Sequence, residues 1–267
     1  MTMAASVGQA IDIDAGSTVR HVVESIDAAQ ERTEPFRHLQ LADVFPRELY
    51  AAMVDAMPGE HQYRRMSGRA RSNRTAEGAP TRTKIDLFPE YIRRMSPEEK
   101  GVWRVVGKAL CSDEVREAFR RRLAPGLEKR FGDSHRTTGM YPVPILTRDV
   151  AGYRIGIHPD TRHKAMTVQI YLPRDRSIEH VGTVFHRRNP DKSYERALQM
   201  PFAPNTGYAF AVGNDTYHSV DPVGPEVRTR DSILLTYFVD ETWVQVVHNR
   251  AKRFGNLVLN EARSLAR

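Results

Sequence analysis

Residues 152–173 read GYRIGIHPDTRHKAMTVQIYLP, and this stretch decides the predicted fold. It holds two runs rich in β-branched and aromatic residues around a polar turn, which predicts two short strands. His158 and Asp160 lie where the first strand ends, and His218 lies at the edge of a later apolar run. A rigid sheet can therefore hold all three polar side chains at the margins of its strands.

Two imidazoles and one carboxylate are the ligand set of a facial iron(II) site, which leaves open positions for further ligands. A His-x-Asp pair alone is weak evidence, because roughly 0.6 such pairs are expected by chance in a chain of this composition. Considered singly, His158 and His218 are more typical of half-buried histidines that bond to the backbone. Asp160 is compatible with a turn residue after Pro159. The ordered context of all three favours the metal site.

Arg230 and Ser232 open a further predicted strand in the stretch RTRDSILLTYF. Positions two apart on a strand face the same side, so a guanidinium and a hydroxyl together can bind one carboxylate. Arg228 lies beside them, and either arginine is also compatible with a solvated cation on an edge strand. Only Arg230 stands in an Arg-x-Ser relation, and it is the predicted carboxylate ligand.

From about Leu146 to Phe238 the chain resembles the double-stranded β-helix core of the iron(II)/2-oxoglutarate-dependent oxygenases. The resemblance rests on the His-x-Asp pair, on a second histidine 58 residues after Asp160, and on an Arg-x-Ser that begins 12 residues after His218. It covers roughly a third of the chain and implies an α+β fold with a jelly-roll or cupin-like core, N-terminal bracing helices and a C-terminal helix. It also implies Fe(II), 2-oxoglutarate and O2 as cofactor and co-substrates.

The same resemblance assigns roles to the candidate residues. His158, Asp160 and His218 are the implied iron ligands, and Arg230 with Ser232 is the implied anchor of 2-oxoglutarate. Tyr153 and Gln169 are placed on core strands and are candidates for contact with 2-oxoglutarate, although packing or ladder roles fit them equally. The implied reaction releases succinate and CO2. Members that halogenate lack the carboxylate ligand, so Asp160 favours hydroxylation, while desaturation, ring closure and epimerisation remain open.

We expect one domain with three parts: a mainly helical part over 1–140, a catalytic core over 141–245, and a helix over 246–267. Helical spacing predicts a helix around Val22 and Ile26. Ser96 before Pro97 predicts the start of another helix, and a break at Pro125-Gly126 is expected in a later helical stretch.

Residues 63–84 are rich in Arg, Gly, Ser and Thr, and they predict a basic loop. It is interpreted either as a lid over the site that binds an anionic substrate or as a solvated insertion. Its Arg69, Arg71 and Arg74 also allow a nucleic-acid-binding protein, although no zinc finger or other nucleic-acid-binding motif accompanies them. A third alternative is a non-catalytic β-helix binding module.

Composition sets limits on the function. A 40% hydrophobic content supplies a core without a stretch that could span a bilayer, and the start of the chain shows no secretory signal. Because Cys111 is the sole cysteine, no internal disulfide is possible, which fits the cytoplasm. The net charge of +7 favours a small anionic or zwitterionic substrate such as an amino acid, a nucleotide or a carrier-bound acyl group. The sequence gives no indication of oligomeric state.

Overall fold

The computed structural model describes residues 14–66, 74–75 and 78–240. Its six α-helices are α1 Ala15–Ala28, α2 Arg47–Asp55, α3 Pro89–Ile92, α4 Pro97–Leu110, α5 Asp113–Arg122 and α6 Ala124–Phe131. Its first six strands are β1 Gln30–Arg32, β2 His38–Leu41, β3 Arg64–Arg65, β4 Arg82–Asp86, β5 Met140–Asp149 and β6 Ile155–His158. The other six are β7 Lys164–Tyr171, β8 Val184–Arg188, β9 Tyr194–Gln199, β10 Gly207–Ala211, β11 Tyr217–Val220 and β12 Arg230–Val239.

The strands form two antiparallel sheets. The larger has the order β1-β2-β10-β7-β12-β5-β4-β3, and the smaller has the order β6-β11-β8-β9. Both sheets combine strands that are distant in sequence, so their formation depends on long-range strand pairing. With the helices, they confirm the predicted mixture of helix and sheet.

The larger sheet separates two hydrophobic clusters. On β12, Ile233, Leu235 and Tyr237 belong to the cluster that the helices cover, and the rings of Tyr237 and Phe119 of α5 lie 6.1 Å apart. The alternate residues of β12 face the smaller sheet. There a second cluster joins the two sheets, since the ring centroids of Phe185 and Tyr208 lie 5.0 Å apart. The candidate site lies on this second face.

The first helices follow the predicted pattern. Val22 and Ile26 of α1 are fully buried, and the side chain of Asp14 caps the helix by accepting from the backbone N–H of Ser17. Helix α4 begins after Ser96 with a complete capping box, in which Ser96 and Glu99 each accept a backbone N–H of the other. Cys111 follows the end of helix α4 and is its C-cap residue.

Replacing Ser96 with alanine is expected to lower the free energy of unfolding by about 1 kcal/mol, because the backbone N–H of Glu99 loses its acceptor. Urea unfolding followed by circular dichroism measures the change. Ser96→Thr keeps the hydroxyl acceptor and should retain most of the stability. Equal losses in the two variants would contradict the capping explanation.

Three features differ from the sequence expectations. The helical stretch breaks at Leu123 and not at Pro125-Gly126, because proline is tolerated in the first turn of α6, where its missing N–H needs no partner. Residues 1–140 also supply β1 to β4, which the sequence analysis did not predict. The predicted basic loop over 63–84 contains β3 and the start of β4, which pair with each other.

Two expectations lie outside the described residues: the helix over 246–267, and the side chains of Arg69 and Arg71 in the basic loop. Within the part of the chain that the structure describes, no helix is long and apolar enough to cross a bilayer.

Candidate active site

Strands β6 and β11 bring the predicted metal ligands together. His158 ends β6 and lies opposite His218 of β11, with their ring centroids 4.5 Å apart. Asp160 follows two residues after His158, just beyond the end of the strand. One ligand atom from each of the three side chains lies within 4.8 Å of the other two. The spacing of these atoms allows all three to bind one metal ion.

Backbone hydrogen bonds orient both imidazoles. The Nδ1 atom of His158 lies 2.8 Å from the carbonyl oxygen of Gly156, and Nδ1 of His218 lies 3.0 Å from that of Thr216. Because a carbonyl oxygen only accepts, each Nδ1 carries the hydrogen and each Nε2 presents its lone pair. Burial lowers the pKa of His218 to about 4, so this imidazole is neutral near pH 7, as a metal ligand must be.

Asp160 is held by two residues of β7. Its Oδ1 accepts a hydrogen bond of 2.6 Å from Nζ of Lys164, and its Oδ2 accepts one of 2.6 Å from Oγ1 of Thr167. Burial opposes ionisation, but the charge of Lys164 and the neighbouring His218 outweigh it and bring the pKa of Asp160 to about 2. Two imidazoles and an ionised carboxylate are the donor set that suits iron(II), so these residues fit that metal.

The three ligands line a cavity of about 360 Å³ between the two sheets. Tyr153 and Gln169, the candidate co-substrate contacts, both line it. Gln169 lies on β7 as expected, but Tyr153 lies in the turn between β5 and β6 and not on a strand. Tyr153 is fully buried although it lies in a turn. A local sequence pattern does not distinguish an aromatic residue buried in a turn from one buried on a strand.

Arg230 and Ser232 lie at the start of β12 and are fully buried. Arg228 lies before the strand begins and is exposed. Nη1 of Arg230 lies 2.8 Å from Oδ2 of Asp149, and its Nε donates to the carbonyl oxygen of Val181 at 2.7 Å. Its Nη2 is buried without a hydrogen-bond partner among the described residues.

The hydroxyl of Ser232 contacts two side chains. Its Oγ lies 2.9 Å from Oγ1 of Thr147 and accepts a bond of 2.9 Å from Nε2 of Gln169. The amide oxygen of Gln169 in turn accepts from the hydroxyl of Tyr208, which also lies on the cavity wall. Ser232 therefore orients an amide that faces the cavity, although its own atoms do not line it.

The sequence patterns do not predict Asp149 and Lys164 as site residues, and they place Arg82 only within the basic loop over 63–84. Arg82 of β4 lines the cavity. It donates two hydrogen bonds to Asp149 of β5, from Nε to Oδ1 at 2.5 Å and from Nη2 to Oδ2 at 2.6 Å. Asp149 pairs in register with Arg82 on one side and with Arg230 on the other. The sequence signal for β4 is the alternation of polar and apolar residues after Arg82, but its place beside β5 is not visible in the sequence.

No family model matches the sequence, and no curated protein matches it. Solved structures do match. A prolyl hydroxylase from Trichoplax adhaerens, in complex with a peptide fragment of the oxygen degradation domain of hypoxia inducible factor, is 11% identical with a TM-score of 0.50, over 84% of this chain and 90% of that chain. The fold of this chain is similar to that of this prolyl hydroxylase. This confirms, at the level of the fold, the resemblance predicted from the sequence.

Two further solved structures are similar to this chain. A Pseudomonas putida prolyl-4-hydroxylase is 16% identical with a TM-score of 0.47, over 82% of this chain and 98% of that chain. A 2OG-Fe(II) oxygenase family protein from Burkholderia pseudomallei is 11% identical with a TM-score of 0.42, over 86% of this chain and 93% of that chain. The ligand atoms of His158, Asp160 and His218 lie close enough together to hold one metal ion.

Proposed function

We propose that this chain is an iron(II)/2-oxoglutarate-dependent oxygenase that hydroxylates a C–H bond of a small anionic or zwitterionic metabolite. The observation that carries the proposal is the convergence of His158, Asp160 and His218, whose ligand atoms lie within 4.8 Å of one another. We infer that the two antiparallel sheets are the two layers of a double-stranded β-helix. A cytoplasmic location and the substrate class stay predictions.

The residues of the chain prepare the metal site before iron binds. The carbonyl oxygens of Gly156 and Thr216 fix the histidine tautomers, and Thr167 and Lys164 hold the carboxylate of Asp160. Such outer partners orient metal ligands and tune their basicity. When bound, iron(II) supplies the oxidation of a substrate C–H bond, coupled to conversion of 2-oxoglutarate and O2 into succinate and CO2.

Buried hydrogen-bond donors at and beside the cavity wall support 2-oxoglutarate as co-substrate. We propose that Arg230 binds its distal carboxylate, with Tyr153 and Gln169 on the cavity wall and Ser232 orienting Gln169. Two buried donors lack partners among the described residues, Nη2 of Arg230 and the hydroxyl of Tyr153. Burial raises the pKa of Tyr153 to about 12, so its hydroxyl stays a donor. Unpaired buried donors are costly, and a carboxylate is a strong acceptor for donors of this kind.

Retention of Asp160 supports hydroxylation, because the carboxylate occupies the position that halide takes in halogenating oxygenases. The net charge of +7 supports an anionic or zwitterionic substrate. An amino acid, a nucleotide and a carrier-bound acyl group all satisfy this description.

Anaerobic titration of metal-free protein with iron(II) and 2-oxoglutarate tests the proposed function. Wild type is expected to give the visible charge-transfer band of the iron chelate, and His218→Ala is expected to lose it because one metal ligand is gone. His180→Ala, at an exposed histidine outside the cavity, is the matched control and should keep the band. A well-folded wild type without the band would favour the non-catalytic binding module.

A further inference from the structure

Three charged side chains form a row across the neighbouring strands β4, β5 and β12, and one of them, Arg82, lines the cavity. Arg82 of β4, Asp149 of β5 and Arg230 of β12 stand opposite one another in the registers of their strands. Both guanidinium groups contact the same Oδ2 atom of Asp149, at 2.6 Å for Arg82 and 2.8 Å for Arg230. We call these residues the Arg–Asp–Arg row.

Among the described residues, the two guanidinium groups of the row share a single carboxylate, which leaves one positive charge uncompensated. Asp149 and Arg230 have no exposed surface and Arg82 has 9%. The neighbouring carboxylate of Asp231 is already paired with Arg148 on the other face of the sheet. A buried charge without a counterion is strongly unfavourable, so two guanidinium groups around one carboxylate create a place for one further anionic group.

Arg82 is the member of the row that faces the cavity. It lines the same cavity as the three metal ligands, which Arg230 does not. Its guanidinium carbon lies 4.0 Å from the ring centroid of Tyr153, which holds the group flat against the cavity wall. A guanidinium has five N–H groups, and among the described residues Asp149 accepts two of those of Arg82, so the other three are available for a ligand.

We propose that Arg82 is a second co-substrate-binding residue, and that it contacts the distal carboxylate of 2-oxoglutarate from the cavity side together with Arg230. This inference rests on the proposed function. Asp149 is the positioning residue of the row, since it fixes both guanidinium groups and keeps them from repelling each other. The sequence predicts an anchor from one strand, and the proposal adds a cation from a strand in the N-terminal part of the chain.

The test compares two 2-oxo acids that differ in the distal carboxylate. Iron(II)-loaded protein is titrated anaerobically with 2-oxoglutarate and with pyruvate, in wild type, Arg82→Lys and Arg82→Gln. Arg82→Lys keeps the charge but loses the planar fork, and we expect about 10-fold weaker binding of 2-oxoglutarate. Arg82→Gln loses the charge as well, and about 100-fold weaker binding is expected. Pyruvate, which lacks the distal carboxylate, should bind each variant within about 2-fold of wild type.

Arg228→Gln is the matched control, because Arg228 is exposed and lies outside the cavity, and its 2-oxoglutarate affinity should equal that of wild type. Wild-type affinity for 2-oxoglutarate in Arg82→Lys and Arg82→Gln would overturn the proposal. Equal losses for both 2-oxo acids would also overturn it, since they would indicate a structural role. If Arg82→Gln fails to fold, Arg82→Lys decides the question. Failure of wild type to bind 2-oxoglutarate would instead refute the proposed function.

Discussion

Alanine in place of His158, Asp160 or His218 is expected to lower the formation of succinate from 2-oxoglutarate by more than about 100-fold. The three side chains supply all the predicted protein ligands of the iron, and loss of even an outer partner of a metal ligand typically costs 10- to 100-fold. Succinate release in the presence of iron(II) and O2 is the measurement, with bound iron determined on the same samples. Each variant should lose both.

His180→Ala provides the control for these variants. His180 has an exposed side chain and lies outside the cavity lining, so its loss should leave iron content and succinate formation unchanged. Wild-type turnover in a folded protein that lacks any one of the three predicted ligands would exclude the proposed metal site.

Alanine in place of Asp149 is expected to lower the free energy of unfolding by about 3–5 kcal/mol. Asp149 has no exposed surface, and its loss leaves two buried guanidinium groups adjacent to each other without a counterion. Urea unfolding at neutral pH measures the change. We also expect 2-oxoglutarate to stabilise this variant against urea more than it stabilises wild type, because the ligand carboxylate would replace the missing one.

Asp221→Ala is the matched control for Asp149. Asp221 also pairs with an arginine, Arg196, but its side chain is half exposed, and an exposed ion pair contributes no more than about 1 kcal/mol. Equal effects of the two substitutions would contradict the interpretation of the Arg–Asp–Arg row as a buried charge cluster.

The local patterns of the sequence were sufficient for the first helices and for the metal ligands. The apolar spacing around Val22 and Ile26 and the capping residues Ser96 and Glu99 depend on neighbours within a few positions. His158 and Asp160 are two residues apart, so their proximity follows from the chain itself. The position of His218 beside them does not follow from local sequence, because it depends on the pairing of β6 with β11.

The strands before residue 140 were not predicted, because short strands such as β2 and β4 owe their stability to the neighbours that they pair with. Tyr153 was misplaced on a strand for a related reason: its burial comes from packing between the sheets and not from a local repeat. Pro125 was interpreted as a helix breaker, although in the first turn of α6 it is compatible with the helix.

The sequence by itself determined the chemistry that this protein has available: two histidines, one aspartate and an Arg-x-Ser, each at the margin of a strand, in an order that resembles one oxygenase family. Only the tertiary structure decided which charges share the cavity. Arg82 and Asp149 are 67 positions apart, and Arg230 is 81 positions from Asp149. Their alignment is set by strand register, which depends on the burial of whole sheet faces and not on the residues that form the row.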